Sequence, residues 1–257
     1  MDAETIALLA DLHVRNARQG PGSEAATLQA LALLELAGLD RTKPLAIADI
    51  GCGTGAAALP LLRETNATIT AVDLLPQFLE ALVERATAAG VVDRITTIEA
   101  DMAELPFREG QFDVLWAEGA IYNIGFTRGI TDWQRFLKPG GMLVVSEITW
   151  RTTVAAVPEP LRAHWEREYP EVAPAAAKLS ALEAAGYASI GYFPLPPACW
   201  RTEYYAPLSA GFPDFLARHE QSAAARAIVE NEQHEIELYT EYQDFVSYGV
   251  YLAAVRG

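Results

Sequence analysis

The sequence predicts an α/β fold: a parallel sheet with helices on both faces. Short apolar runs alternate with segments of helical spacing through the first 150 residues, roughly one strand per helix. A glycine-rich turn follows the first run, and an acid stands at the end of each of four successive runs: Asp49, Asp73, Asp101 and Glu118. Ligands of such sheets lie beyond the carboxyl ends of the strands, where the strand order reverses. Four acids placed there in succession form a constellation rather than a coincidence.

The chain begins with helical spacing over residues 3–17, with Ile6, Leu9, Leu12 and His13 toward one side. Arg18-Gln19-Gly20-Pro21-Gly22-Ser23 breaks the pattern, and Ser23 can cap a second helix over about 24–37. Arg18 and Gln19 read equally as a solvated turn or as polar groups of a site. Leu45–Ile50 is apolar throughout, as a central strand buried on both faces should be. It runs through Asp49 into Gly51-Cys52-Gly53-Thr54-Gly55 and an Ala/Leu-rich helix. Glycines let the backbone approach a ligand closely, and the free N–H groups of a helix start favour a negative group. The loop alone is ambiguous, because Gly51, Gly53 and Ala56 also satisfy a dinucleotide pattern.

Ala67–Asp73 is the second strand, with Asp73 where a ribose diol would be held. A helix from Leu74-Leu75-Pro76 to about Ala89 follows, and then a third strand over Arg94–Glu99. Asp101 and Met102 pair a carboxylate with a thioether, which could bond an adenine amino group and pack on its ring. Phe112–Trp116 is the fourth strand, Leu137-Lys138-Pro139-Gly140-Gly141 a turn, and Met142–Ile148 the fifth strand.

With 257 residues, 51% hydrophobic and 21% charged, the chain can bury the core of one domain with a modest cap. No apolar run approaches the roughly 20 residues of a membrane span. The acidic N-terminus lacks the basic start of a signal peptide, and Cys52 and Cys199 form neither a disulfide framework nor a metal cluster, so a cytoplasmic protein without a metal is expected. A net charge of −15 without a Lys/Arg cluster argues against nucleic acid as a partner.

Taken jointly, Asp49-Ile50-Gly51-Cys52-Gly53-Thr54-Gly55, Asp73, Asp101-Met102, Phe112-Asp113 and Leu137-Lys138-Pro139-Gly140-Gly141 resemble the class I S-adenosylmethionine-dependent methyltransferases. The similarity covers about 45–195 and is nearest the small-molecule branch that includes the ubiquinone/menaquinone-biosynthesis enzymes. The segments RQGPGS and WAEGAIYNIGF and the late CW…EYY also resemble a bacterial subgroup of methyltransferases. The resemblance implies a Rossmann-like seven-stranded sheet, with Tyr187–Phe193 as the sixth strand and Phe245–Val255 as the antiparallel seventh. It implies that Gly51, Gly53 and Gly55 line the methionine end of S-adenosylmethionine, with Gln19, Asp49 and Cys52 also among the cofactor-binding residues. Asp73 would hold the ribose, Leu74, Asp101 and Met102 the adenine, and Glu118 would lie near the amino-acid part or the transferred methyl. That closing pattern, together with Asp101 and KPGG, selects this cofactor over a nicotinamide.

Two segments lie outside the sheet, at about 150–178 and 196–244, and both emerge from the half holding the later strands. With the N-terminal helices they are expected to form a cap on a single domain. The substrate shell expected is Glu118, Tyr122, Asn123, Trp150, Trp200, Arg201, Glu203 and Tyr204. Glu118, Tyr122 and His13 are the catalytic candidates, although methyl transfer needs no dedicated base where positioning suffices. Trp200–Tyr205 reads equally as a core aromatic cluster, and His164, His219 and His234 as cap or surface residues. The function expected is methyl transfer from S-adenosylmethionine to a small molecule, away from membranes, with a homodimer as the candidate assembly. Transfer to tRNA or protein, or a binding protein without turnover, are the alternatives.

Overall fold

The computed structural model describes residues 2–256. The elements in chain order are α1 (Ala3–His13), α2 (Glu24–Leu36), β1 (Leu45–Ile50), α3 (Ala58–Glu64), β2 (Ala67–Asp73), α4 (Pro76–Ala88), β3 (Ile95–Glu99), β4 (Phe112–Glu118), α5 (Phe126–Trp133) and β5 (Leu137–Trp150). They continue with α6 (Glu159–Glu168), β6 (Ala173–Pro174), α7 (Ala175–Ala184), β7 (Tyr187–Pro194), α8 (Pro197–Trp200), α9 (Ala206–Arg218), α10 (Ala223–Tyr242) and β8 (Val246–Val255). A π-turn, Arg201–Tyr205, joins α8 to α9.

The sheet runs β3-β2-β1-β4-β5-β8-β7, with the two-residue β6 paired to β5 off this path. Seven strands therefore make the continuous sheet, and the order reverses between β1 and β4. β1 is parallel to β2 and β4, β4 to β5, and β8 is antiparallel to both β5 and β7. Register places Asp49 beside Ala71 and Trp116, Asp73 beside Glu99, and Glu118 beside Ser146, so these acids share the carboxyl rim.

Period-2 alternation divides the sheet's side chains between two cores. Ile47, Ile69, Val114, Trp116, Val144 and Leu252 face α2, α3 and α4. Ala48, Leu115, Leu143, Val145, Tyr251 and Ala253 face α5 and α7. Asp113 serves as a staple between strands: its Oδ2 accepts from Ala46 N–H and from Lys138 Nζ, each at 2.8 Å. That bond set gives Phe112-Asp113 and Leu137-Lys138-Pro139-Gly140-Gly141 a structural reason to occur together.

Local signals explain the first two helices. Asp2 accepts from Thr5 N–H at 2.8 Å and Ser23 from Ala26 N–H at 3.1 Å, each satisfying a donor that the first turn leaves free. α1 stops at His13, four residues short of the expected end, because residues 14–22 fold across the glycine loop. β5 is longer than its apolar run, taking in Leu137–Gly141 past an irregularity opposite Phe112–Val114. The first insertion is also shorter than expected. α7 buries Leu182 with the α5-side core and so belongs to the sheet's flank, leaving residues 151–172 around α6 to the cap.

The cap consists of α1, α6 and the α8–α10 segment, and its interior is aromatic. Trp200 stacks on Tyr239 with centroids 4.4 Å apart and meets Trp165 and Tyr248 edge-on. Asp11 on α1 accepts from Arg218 at 2.7 Å and lies 2.9 Å from His219 Nε2, clasping the first helix to the end of α9. No helix among the described residues is long and apolar enough to cross a membrane.

Candidate active site

The glycine loop leaves β1 at Ile50. Its Gly51, Gly53 and Gly55 have φ of +73°, +53° and +92°, the left-handed region that side chains disfavour. Space enforces the same choice, since a Cβ on Gly51 would meet Ala120 Cβ, one on Gly53 the Gln19 carboxamide, and one on Gly55 Leu82. The cradle is thus backed by the residue following β4, by the N-terminal segment and by α4.

Asp73 closes it from the β2 side. Its Oδ2 accepts from Gly53 N–H at 2.9 Å and its Oδ1 from Leu75 N–H at 3.0 Å. Burial pushes its carboxyl up while those N–H groups oppose the shift, and the result is a carboxylate held in one orientation. Leu74, next to it, leaves 58% of its surface accessible at the rim, an apolar platform beside a diol acceptor. Asp101 is exposed, with Oδ1 accepting from Ala103 N–H at 2.8 Å, and Met102 stands near Gly51 while its carbonyl accepts from Trp133 Nε1 at 3.0 Å.

Asp49 is 1% exposed, and its Oδ2 has no hydrogen-bond partner. Burial, then the charges of Glu118 and Asp73, push its carboxyl up to about 8, with Arg18 opposing. A buried acid with an orphaned oxygen beside a glycine cradle offers a ligand one acceptor. An adenosyl ligand carrying positive charge fits this set: a diol acceptor, an apolar platform, a loop with three glycines and a buried acid whose ionised form a cation would favour. Cys52 is buried in the loop, with Sγ 3.6 Å from Gly53 O.

The N-terminal segment is stitched over the cradle. Gln19 Oε1 accepts from Thr54 N–H at 2.9 Å, and its Nε2 donates to Thr54 Oγ1 at 3.0 Å and to Asn16 O at 3.1 Å. Gln19 thereby clamps the loop itself. Arg85, from α4, donates to Asn16 O at 2.9 Å and to Val14 O at 3.4 Å, and also reaches Thr54 Oγ1. Arg18 donates to Glu118 Oε2 at 2.8 Å and to Thr27 at 3.1 Å. Glu118 also accepts from Thr27 Oγ1 at 2.7 Å and Trp116 Nε1 at 2.9 Å on its other oxygen. Both of its oxygens accept hydrogen bonds, three in all, so the structure gives Glu118 an anchor's surroundings.

The expected substrate shell divides. Trp150 and Trp200 are core residues, at 2% and 1% exposure, and Trp200 donates its Nε1–H to Ser247. Their apolar bulk is worth more inside the cap than along an open wall, which corrects the expectation that they line the site. Arg201 and Glu203 are exposed on the π-turn. Asn123 is exposed, with its Nδ2 donating to Ala120 O at 2.9 Å. Tyr204 and His13 do come together: His13 stacks on Tyr204 with centroids 6.2 Å apart, and its Nε2 lies 3.7 Å from Glu232. Tyr122 meets Tyr169 edge-on.

Residues 47–141 match the family model described as a methyltransferase domain. That stretch, under half of the chain, is similar to a methyltransferase domain. The chain's seven-stranded order with an antiparallel penultimate strand is the architecture that the resemblance implied. The chain is 33% identical over 109 residues to the methyltransferase GfsG of Streptomyces halstedii, covering 42% of this chain and 39% of that protein. It is 32% identical over 143 residues to the demethylmenaquinone methyltransferase of Clavibacter sepedonicus, covering 55% and 54%. The match thus spans well under two thirds of these relatives. Beyond the methyltransferase domain, the whole chain superposes on a Geobacter sulfurreducens S-adenosylmethionine-dependent methyltransferase solved with S-adenosylhomocysteine. The TM-score is 0.83 at 19% identity, over 99% of each chain, a likeness of fold.

Several site residues escaped the sequence. Arg85 and Thr27 sit in ordinary helical positions, and nothing local marks them as partners of a loop far away in the chain. Glu232 and Glu235 had a readable signal: with Ile228 and Tyr239 they fall on one stripe of α10, where acids interrupt an otherwise inward face.

Proposed function

We propose that this chain transfers a methyl group from S-adenosylmethionine to a small-molecule acceptor, and that the whole chain acts as one domain whose cap roofs the acceptor. The orphaned Asp49 carboxylate beside a glycine cradle that Asp73 completes is the observation that carries this reading. The names of the two relatives above, both methyltransferases, support it. When bound, S-adenosylmethionine supplies a methyl carbon whose bond to sulfur breaks, the electron pair staying on sulfur, as the acceptor's lone pair forms the new bond.

The chain's own contribution is positioning and exclusion of water. Asp73 and Leu74 grip the adenosyl group, the 14–22 segment covers it, and Asp49 offers its oxygen to a cationic centre. Fixing two reactants in line can lower the barrier by ~7–11 kcal/mol, so no dedicated base is required for the transfer itself. A small acceptor is supported by the roof of α1, α6 and α8–α10 and by the −15 charge, which disfavours a polyanion.

Calorimetry with S-adenosylhomocysteine tests the donor site. Wild-type protein should bind it, and Asp73→Ala should weaken binding at least ~30-fold through loss of a bidentate charged acceptor, ~2 kcal/mol or more. Undiminished binding by that variant would remove the assignment.

A further inference from the structure

Above the carboxyl rim, the cap and the sheet bring together side chains with a definite chemistry. Tyr122 comes from the turn after β4, Tyr204 from the π-turn, Tyr248 from the first residues of β8, and Glu232 and Glu235 from α10. These groups sense one another. The charges acting most strongly on the Tyr204 hydroxyl are those of Glu232 and Glu235, Tyr122 senses Glu235, then Glu147 and Glu232, and Tyr248 senses Tyr122, Glu235 and Glu147. Tyr122 keeps 42% of its surface accessible, yet its hydroxyl is sunk deeply enough that burial, then Glu235, pushes its pKa up. Accessible surface in crowded surroundings is the wall of a hollow. Tyr248 lies against the backbone of Gly119, where a Cβ would meet its ring at 3.0 Å, so the hollow opens beside the end of β4.

The recess is rich in negative charge and poor in positive charge. Burial, then Glu232, pushes the Glu235 carboxyl up to about 7, and one Glu235 oxygen accepts from Tyr205 at 2.8 Å. No lysine or arginine appears among the charges dominating Tyr122, Tyr204, Tyr248 or Glu235. His13, nine-tenths buried, stacks on Tyr204, faces Glu232 at 3.7 Å, and has its Nδ1 buried without a partner. Lys178 is occupied elsewhere, against Glu147 and the ring of Phe126.

We propose that this recess takes a cationic amine as the methyl acceptor, its ammonium held between the carboxylates of Glu232 and Glu235 and the ring faces of Tyr122, Tyr204 and Tyr248. The proposal rests on the methyl-transfer reading and narrows its acceptor. Aromatic faces attract a cation through their quadrupoles, and desolvation by the cap strengthens both that attraction and the pull of the carboxylates. An acidic acceptor, whether a carboxylate or a phenolate, would meet like charge on α10. An ammonium nitrogen must lose one proton before its lone pair can take a methyl, and the Glu235 carboxylate receives that proton. The freed lone pair becomes the nucleophile, and the product nitrogen is again cationic.

Titration calorimetry with choline and its uncharged isostere 3,3-dimethylbutan-1-ol, on protein saturated with S-adenosylhomocysteine, reads the charge preference directly. Choline should bind at least about tenfold more tightly than the alcohol. Glu232→Gln with Glu235→Gln should bring the two ligands to within about threefold of each other, and Tyr122→Leu, at an accessible position, should weaken choline several-fold without changing the melting temperature. Equal or tighter binding of the alcohol, no binding of choline at tens of millimolar, or a preference that survives loss of both carboxylates would overturn the proposal. The donor is scored separately. S-adenosylhomocysteine binding without a cation preference leaves methyl transfer standing and removes the amine; if S-adenosylhomocysteine does not bind, the two ligands are compared on the unliganded chain, where the preference still decides.

Discussion

Asp49→Asn is expected to stabilise the unliganded protein at alkaline pH and to abolish a proton release that accompanies cofactor binding. The native carboxyl is raised to about 8 from 3.8 because burial, Glu118 and Asp73 all disfavour its ionised form. Below about pH 4 both folded and unfolded chains hold the proton, and the substitution changes nothing. Between about pH 4 and 8 the unfolded chain ionises while the native carboxyl does not, so stability drains as pH rises, and above 8 the loss is complete. At ~1.4 kcal/mol per tenfold change in proton affinity the ceiling is on the order of 5 kcal/mol, and water reaching the carboxylate reduces it. We therefore expect Asn to add ~2–5 kcal/mol at pH 9 and nothing at pH 4, read from denaturant melts at both pH values.

The same carboxyl should ionise when a cation arrives. A group titrating near 8 is about nine-tenths protonated at pH 7, so binding S-adenosylmethionine at pH 7 should release ~0.9 proton, falling toward zero by pH 9. Calorimetry in two buffers of different ionisation enthalpy measures that number. Zero release by the wild type at pH 7, or an unchanged release by Asp49→Asn, would refute the reasoning that the orphaned oxygen awaits the ligand's positive charge.

Arg85→Ala should release the 14–17 backbone from α4, raising the rate of limited proteolysis in 14–22 and weakening S-adenosylhomocysteine about tenfold, while α4 itself stays folded. Glu147 is fully buried, with Lys178 3.8 Å away, and Glu147→Gln should cost ~3–5 kcal/mol in a denaturant melt by stranding that ammonium. Glu147→Leu with Lys178→Met should recover most of the loss, because a packed apolar pair needs no counter-ion. Trp200→Ala should cost ~3–5 kcal/mol by opening the cap's aromatic core against Tyr239, and a loss under ~1 kcal/mol would show that the cap does not contribute to global stability.

The sheet was legible because its strands are short, apolar and separated by glycine and proline, so β1, β2, β7 and β8 begin and end within about a residue of the expected bounds. The placement of Asp49, Asp73 and Glu118 along the carboxyl rim was legible for the same reason: a strand end is a fixed place, and an acid following a strand has few directions to face. The surroundings of the expected substrate residues were not. Trp150 and Trp200 sit near the rim in sequence, but a large apolar ring is drawn wherever most surface can be covered, and only packing decides whether that is a wall or a core. Glu118 misled in the opposite sense. Its position after β4 pointed toward chemistry, while its bonds to Arg18, Thr27 and Trp116 depend on a loop that begins 100 residues earlier.

Those bonds join the two halves of the site. Glu118 lies between Asp49, whose charge state it influences, and the N-terminal segment, which it anchors through Arg18. The same segment holds the glycine loop through Gln19 and, three residues before Asn16, presents His13 to Tyr204 and Glu232. A displacement of residues 14–22 therefore cannot loosen the glycine cradle without also moving His13 and exposing the Glu118 carboxylate beside the buried Asp49 carboxyl. The cradle and the roof share one short stretch of backbone, so on the methyl-transfer reading proposed above ordered binding is expected, with the adenosyl ligand first and the acceptor second, because that order leaves the fewest buried charges unpaired at each stage.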